Sequence, residues 1–505
     1  MSSYAGPSHD APLRWRALVI VGTLVLLMGA YRQPDWPATW IDEGFITAGA
    51  KSLAVHGHYA LRSSDGWRTL DQPLIANGPG IVLPVALAMS LLGPGVMQAR
   101  LVALTFMVLA ALLVYVLAHR LAGPWAGAFA LVIALAMPHE GFLYFGRMAI
   151  GNVAAVAYFL AGALAWMIAL DRRAPRWAWA AGLMLGAAAI TKAQWSVVLP
   201  PALLLMWAVD RVTARAIGGR LLAIAAAGGL AVLATWYVAR LVILGPAGFV
   251  LDLIRVQESA QWTVFALNPA RYFAPSVAYL VTSGAALVMV CGLLYAAVLI
   301  ARRAAQATSA LLFASVLVVW LAWYALMSVG WERYAFEPTL LGALLAGAGL
   351  AHGPALARHR ASRPVTITAV LGACALTIAV PLQLRQRGRE VLEAADDAAP
   401  AFAAVLDARV APGAVVESWE WQLSVLTGTN FHYPTNDWVD RFTAEKFGGV
   451  PVRRPYPWLD AQPVYLVDGP FSKFTGVYAQ ALASGCCELL ARRGPYDVYQ
   501  VRPRP

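Results

Sequence analysis

Two adjacent carboxylates, Asp42 and Glu43, lie shortly after the first apolar stretch of this 505-residue chain. Further ionisable residues abut later apolar stretches: Arg100, Arg147, Lys192, Arg271 and the pair Glu332-Arg333. A charged side chain at a bilayer costs roughly 2.5–3.5 kcal/mol at a helix centre, so charges kept near one are usually functional. These residue types suit one chemistry. Guanidinium and ammonium groups hold a phosphate and stabilise the charge it carries away as a leaving group. A carboxylate accepts the proton of a hydroxyl as that hydroxyl attacks an anomeric carbon. A phosphate leaving group needs no general acid, so one carboxylate suffices, in contrast to the paired carboxylates of most glycosidases. Asp42 is the expected base and Glu43 its expected support, orienting or capping. Arg147, Lys192, Arg333, Arg100 and Arg271 are the expected donor-phosphate ligands.

For that chemistry the charges must meet on one side of a membrane. The chain is 60% hydrophobic and only 13% charged, with mean hydropathy +0.62, where soluble proteins carry about 25% charged residues. The expected fold is therefore mainly α and polytopic. The net charge of +11 is not grouped in a soluble part, which argues against a nucleic-acid partner. Apolar stretches fall at 17–31, 101–118, 125–143, 148–170, 177–190, 194–209, 221–244, 274–300, 309–328, 337–351 and 364–383. These predict about 11 transmembrane helices, since a span needs about 20 residues. Ile81–Leu92 is short, contains Pro84, and sits between Gly78-Pro79-Gly80 and Gly93-Pro94-Gly95. It reads as a juxtamembrane or re-entrant helix.

The distribution of basic residues tests this layout. With the N-terminus inside, the six inner segments hold 14 Lys/Arg in 59 residues and the five outer loops 10 in 118. Had 81–92 crossed, Arg172, Arg173, Arg176, Arg302 and Arg303 would face outward. The reading is a multi-pass protein of the cytoplasmic membrane with a cytoplasmic N-terminus, an uncleaved first helix and a first outer loop at 32–100. All the site candidates then share the outer side. Residues 1–383 form the transmembrane catalytic module, and 384–505 a small extracytoplasmic α/β domain. In that domain, 414–419 and 464–467 read as strands, 392–409 and 473–483 as helices, 421–426 as a helix start, and 488–502 as a hairpin. Cys486 and Cys487 are adjacent and too close for an ordinary bridge. No cysteine or histidine spacing marks a zinc site, and a divalent metal stays open as a cofactor without ligand spacing to support it.

The residues at these places carry a resemblance. Trp40-Ile41-Asp42-Glu43-Gly44 resembles the first-loop Asp-Glu motif of GT-C fold glycosyltransferases, which include the protein O-mannosyltransferases and the aminoarabinose transferases that modify lipid A. Gly78-Pro79 before a short helix and Arg100, Gly146-Arg147, and Thr191-Lys192 are similar to bacterial members. Arg333-Tyr334 with Pro338 resembles their late Arg-Tyr loop. The likeness covers roughly residues 17–340. It implies a hexosyl- or pentosyltransferase with a polyprenyl-phosphate sugar donor, an acceptor that is lipid, polysaccharide or protein, and Asp42 at the position of the catalytic carboxylate. Members commonly carry a second acid near the start of the fourth span, where this chain has Asn152. Glu140, Asp71, Glu258 and Glu332 stand as substitutes that the sequence does not rank.

Simpler roles remain open for the same residues. Asp42 is a good helix N-cap, and Arg147 and Lys192 can snorkel to the interface. Two other functions compete. A secondary transporter would show internal repeats and midplane charges, whereas these charges sit at span ends. A non-catalytic lipid-binding or assembly protein of the cell envelope would leave the long first loop without a purpose.

Overall fold

The computed structural model describes residues 15–137, 141–213, 217–266, 268–358, 363–395, 397–449, 451 and 456–502. A helix occupies each apolar stretch: α1 (Trp15–Ala30), with α2 (Ile41–His56), α3 (Gln72–Ala76) and α4 (Pro79–Leu92) in the first loop; then α5 (Val96–Ala122), α6 (Pro124–Leu135), the short α7 (Phe142–Phe145), α8 (Gly151–Arg172), α9 (Pro175–Thr191), α10 (Ala193–Thr213), α11 (Gly219–Thr263), α12 (Ala270–Thr282), α13 (Ala285–Ala301), α14 (Ala307–Leu326), α15 (Phe336–Arg358) and α16 (Arg363–Glu393). Among the described residues, six of these helices are long and apolar enough to cross a membrane singly, and a seventh span results if α12 and α13 count as one.

Among the apolar helices the structure departs from the sequence reading in two places. The 274–300 stretch is not one straight span, because α12 and α13 meet at an 81° bend. Apolar composition alone does not register the helix break at Ser283-Gly284. Residues 245–263, read as loop, instead continue α11 past a break at Gly245-Pro246. An ion pair between Arg240 and Asp252 bridges that break. The added helical stretch carries Val256, Ala260 and Val264 to the wall of the central cavity.

The first loop is ordered. Besides its helices it holds an antiparallel hairpin of β1 (Ala60–Ser63) and β2 (Gly66–Thr69). The C-terminal part adds β3 (Val415–Ser418), β4 (Asn430–His432), β5 (Tyr465–Asp468), β6 (Cys487–Arg493) and β7 (Tyr496–Val501), in the order β4-β3-β5-β7-β6. β4, β3 and β5 run parallel, while β7 and β6 pair antiparallel at one end. Helices α17 (Ala398–Arg409), α18 (Asn436–Thr443), α19 (Pro470–Thr475) and α20 (Ala479–Ala483) accompany the sheet, as an α/β reading requires. The expected helix start at 421–426 is a single 3-10 turn, Trp421–Val425.

Two buried carboxylates at the end of β3 organise this sheet. Glu417 accepts from the hydroxyls of Tyr456 and Tyr478 at 2.9 Å each and lies 2.5 Å from His432 Nδ1. Glu420 accepts from the backbone N–H of Phe471 and Ser472, both at 2.9 Å. Burial pushes both carboxyls above their ordinary pKa, and these hydrogen bonds oppose the shift.

The first loop and the C-terminal sheet share one apolar core, with Ile41 and Phe45 of α2 packed among Trp421, Leu423 and Tyr433. Gly44 makes this possible. A Cβ there would stand 2.4 Å from the Gln422 nitrogen and 2.8 Å from the Trp421 carbonyl carbon, so only glycine lets the helix backbone lie against the turn.

Candidate active site

Asp42 enters the site because α2 starts at Ile41, directly after an extended Trp40. The side chain of Asp42 pairs with the guanidinium of Arg333, and the two are 27% and 22% exposed. Arg333 sits in a 3-10 turn, Glu332–Ala335, between α14 and α15. Buried Tyr334 anchors that turn, its carbonyl accepting from Trp320 Nε1 at 2.8 Å. The guanidinium lies over the rings of Trp331, at 4.1 Å, and Tyr334, at 5.5 Å, a cation–π arrangement that holds its plane toward the cavity.

Lys192 arrives by a different route. It ends α9 with extended dihedrals, so the helix stops and α10 starts one residue later. Gly78 lies so close to this corner that a Cβ would meet the Ile190 carbonyl oxygen at 2.0 Å, and its N–H donates to the Thr191 carbonyl at 3.1 Å. Lys192 Nζ then donates to Asn77 Oδ1 at 2.7 Å.

These side chains line one cavity of about 600 Å³. Asp42, Lys192, Arg333 and Glu332 supply its charge from the membrane module. Tyr144, Phe145, Val256 and Val264 supply apolar wall, and Trp419, Phe471, Phe474 and Lys446 come from the C-terminal part. Two carboxylates, three cations, aromatic faces and an apolar flank can hold a phosphate, a sugar and a hydrocarbon chain together.

The other candidates lie elsewhere. Glu43 and Arg100 are both 0% exposed and form a buried two-pronged pair, Arg100 Nε to Oε1 at 3.0 Å and Nη2 to Oε2 at 2.7 Å. Glu43 also accepts the Ala149 N–H at 2.9 Å. Arg100 spends its remaining donors on the carbonyls of Gln33, at 2.7 Å, and Pro37, at 2.8 Å. Neither lines the cavity, so an expected catalytic helper and an expected phosphate ligand are an internal brace instead. Arg147 is also buried. Its guanidinium lies 4.9 Å from the Trp36 ring and donates to the Tyr31 carbonyl. Arg271 is exposed over Tyr272 and is not a lining residue.

Of the four acids, Glu332 lines the cavity. Asp71 caps α3, accepting the Gln72 N–H at 2.8 Å. Glu258 is exposed on α11, and Glu140 lies outside the described residues. The carboxylate that does reach Asn152 is Glu337, in the first turn of α15. Asn152 Nδ2 donates to its Oε1 at 3.1 Å, and the group is 1% exposed. Sequence reading passed over Glu337, although a carboxylate opening an apolar stretch is a signal. Asn77, Trp419, Phe471 and Lys446 carried none. Among the described residues no three His, Cys, Asp or Glu side chains cluster as metal ligands would.

The geometry agrees with known proteins at the level of the fold. Residues 72–238 match the family model of dolichyl-phosphate-mannose-protein mannosyltransferases. The match takes in Lys192 but neither Asp42 nor Arg333. The chain superposes on ArnT from Cupriavidus metallidurans bound to undecaprenyl phosphate with a TM-score of 0.62 at 16% identity, over 96% of this chain and 97% of that one. For the same protein in the apo state the TM-score is 0.60 at 16% identity, over 96% and 98%. The apo oligosaccharyltransferase of Archaeoglobus fulgidus follows at 0.56 and 12% identity, over 96% of this chain and 74% of that one. No curated protein matches the chain significantly by sequence. The likeness to GT-C fold glycosyltransferases, read from motifs over roughly residues 17–340, is thereby borne out at the level of the fold.

Proposed function

We propose that this protein is a membrane glycosyltransferase that moves a sugar from a polyprenyl-phosphate donor to an acceptor hydroxyl on the outer face of the cytoplasmic membrane. The observation that carries this is the meeting of Asp42, Arg333 and Lys192 in one cavity with apolar and aromatic walls. The fold shared with a protein solved bound to undecaprenyl phosphate supports it, as does the match to a mannosyltransferase model.

The donor phosphate binds Arg333 and Lys192. Arg333 is half-buried and paired with Asp42 before donor arrives. A phosphate offers the guanidinium a two-pronged partner of higher charge, and its arrival frees the Asp42 carboxylate. The acceptor oxygen then attacks the anomeric carbon from the face opposite the phosphate. The carbon–oxygen bond to phosphate breaks, its electron pair stays on the phosphate, and the hydroxyl proton passes to Asp42. The anomeric centre inverts. Trp419 and Phe471 of the C-terminal part complete the aromatic wall of the cavity. The acceptor is a lipid, a polysaccharide or a protein bearing that hydroxyl.

The test is Asp42→Asn in membranes supplied with a polyprenyl-phosphate sugar and acceptor extract. Transfer should vanish while the protein remains membrane-inserted and binds donor. Full transfer by that variant removes the proposal.

A further inference from the structure

A second cavity, of about 420 Å³, shares no lining residue with the first. It lies at the seam where the far half of α2 and strand β1 meet the 424–433 segment of the C-terminal part. That seam is tied by backbone, with Ser64 N–H donating to the Phe431 carbonyl at 2.7 Å.

Its lining is basic and rich in hydroxyls. Lys51, His56 and Arg62 contribute cations or potential cations, and no Asp or Glu is among its residues. Lys51 Nζ donates to the Ser424 carbonyl at 2.7 Å, which fixes the ammonium and leaves two of its N–H groups uncommitted. Arg62 reaches His56 Nε2 at 3.5 Å. Ser52, Ser63 and Thr429 supply short hydroxyl side chains around them. Burial and the charge of Arg62 both pull the Lys51 ammonium below its ordinary pKa. Asp407 stands behind the lining, accepting from Thr427 Oγ1, but no carboxylate lies in the lining itself, so a bound anion steadies both cations. The volume falls in the range of small-ligand sites, roughly 300–1,000 Å³, and inorganic phosphate alone would leave most of it empty.

We propose that this cavity binds an anionic saccharide, a sugar bearing a phosphate or carboxylate, with Lys51 and Arg62 on the anion and the hydroxyl rim on the sugar. The site stands apart from the transferase reading and does not depend on it.

Calorimetric titration of the purified full chain in neutral detergent with glucose 1-phosphate, glucuronate, glucose and inorganic phosphate tests it. The two anionic sugars should bind about tenfold more tightly than glucose or inorganic phosphate. Arg62→Gln and Lys51→Met should each weaken that binding about tenfold, and Lys192→Met should leave it unchanged. Arg62 is exposed, so its replacement does not threaten the fold. A parallel arm offers phosphatidylinositol in the micelle. Tighter binding there assigns the sugar to a lipid headgroup and weaker binding to a soluble glycan, and both support the site. The proposal is overturned if no anionic sugar binds, if inorganic phosphate binds as tightly as glucose 1-phosphate, or if Arg62→Gln and Lys51→Met both bind like the parent. It is equally overturned if Lys192→Met abolishes the signal, because the ligand would then sit in the central cavity.

Discussion

Glu43→Ala separates the two halves of the acidic pair. In the native chain its carboxylate accepts two guanidinium bonds from Arg100, at 2.7 and 3.0 Å, and one from the Ala149 N–H at 2.9 Å, with both charged side chains wholly buried. Removing it strands a buried guanidinium, whose other donors satisfy backbone carbonyls but do not neutralise it. Breaking one partner of such a pair costs about 3–5 kcal/mol, or about two to three and a half powers of ten in the folding constant. Glu43→Gln keeps the volume and the acceptor for Ala149, so it should cost roughly half as much. Denaturation in detergent, followed by tryptophan emission, measures both, and a cycle with Arg100→Gln should give a coupling of about 2 kcal/mol. Folded Glu43→Gln, assayed at low temperature, should keep transfer within about tenfold of the parent, since Glu43 does not line the cavity. A Glu43→Gln protein of unchanged stability that has lost all transfer would refute the bracing role and return Glu43 to the chemistry.

Other expectations follow from the same geometry. Arg333→Gln should cost at most about 1 kcal/mol of stability, because its pair with Asp42 is partly exposed. It should nonetheless weaken donor binding strongly in a direct binding assay. Asp42→Asn should lower transfer by about 10²–10⁴, the usual worth of a general base, with donor affinity kept. Gly44→Ala forces a Cβ to within 2.4 Å of the Gln422 backbone; it should cost about 1–3 kcal/mol and expose the C-terminal part to limited proteolysis. Asp71 gives a pH signature. Burial pushes its carboxyl from 3.8 up to about 6, so the folded state binds its proton more tightly than the unfolded state. Its stabilising contribution is full below about pH 4 and lost as pH rises through about 6, with an upper bound near 3 kcal/mol. Asp71→Asn keeps the cap on α3 and should raise stability at pH 7 while leaving it unchanged at pH 4. Equal gains at both values would contradict the burial argument.

The helices were legible because their signal is local. Apolar length marks a helix whatever it packs against, although among the described residues only six of these helices, or seven with α12 and α13 joined, are long and apolar enough to span. What composition could not mark was where a helix breaks or continues. The bend between α12 and α13 turns on Gly284, whose φ is +75°, and the run of α11 past Gly245 depends on an Arg240–Asp252 pair formed only once the chain has turned. The β1–β2 hairpin of the first loop and the packing of α2 were not legible for a related reason. α2 gains its burial from Trp421 and Tyr433, nearly 400 residues away, and no window along the chain contains both.

The site divides along the same line. Successive residues on a helix point about 100° apart, and here Asp42 lines the cavity while Glu43 turns into the buried pair with Arg100. Which carboxylate faces inward depends on the partners, and the partners are distant. Arg100 and Arg147 looked like phosphate ligands because they sit at span ends beside apolar residues, the place where a ligand and a brace look alike. The difference lies in what surrounds them. Arg100 meets a carboxylate and backbone carbonyls that take up its donors, and Arg147 meets Trp36 and the Tyr31 carbonyl. Arg333 is backed by two aromatic rings and meets Asp42, a lining residue of the same cavity. Glu337 obeys the same rule. Asn152 and Glu337 are 185 residues apart and 3.1 Å from each other, a contact that no window along the chain contains. Glu337→Gln tests whether that acid matters. If it steadies Lys192 through their mutual charge, the variant should weaken donor binding while leaving the Asp42-dependent step intact at saturating donor. If it merely fills space beside Asn152, donor affinity should not move.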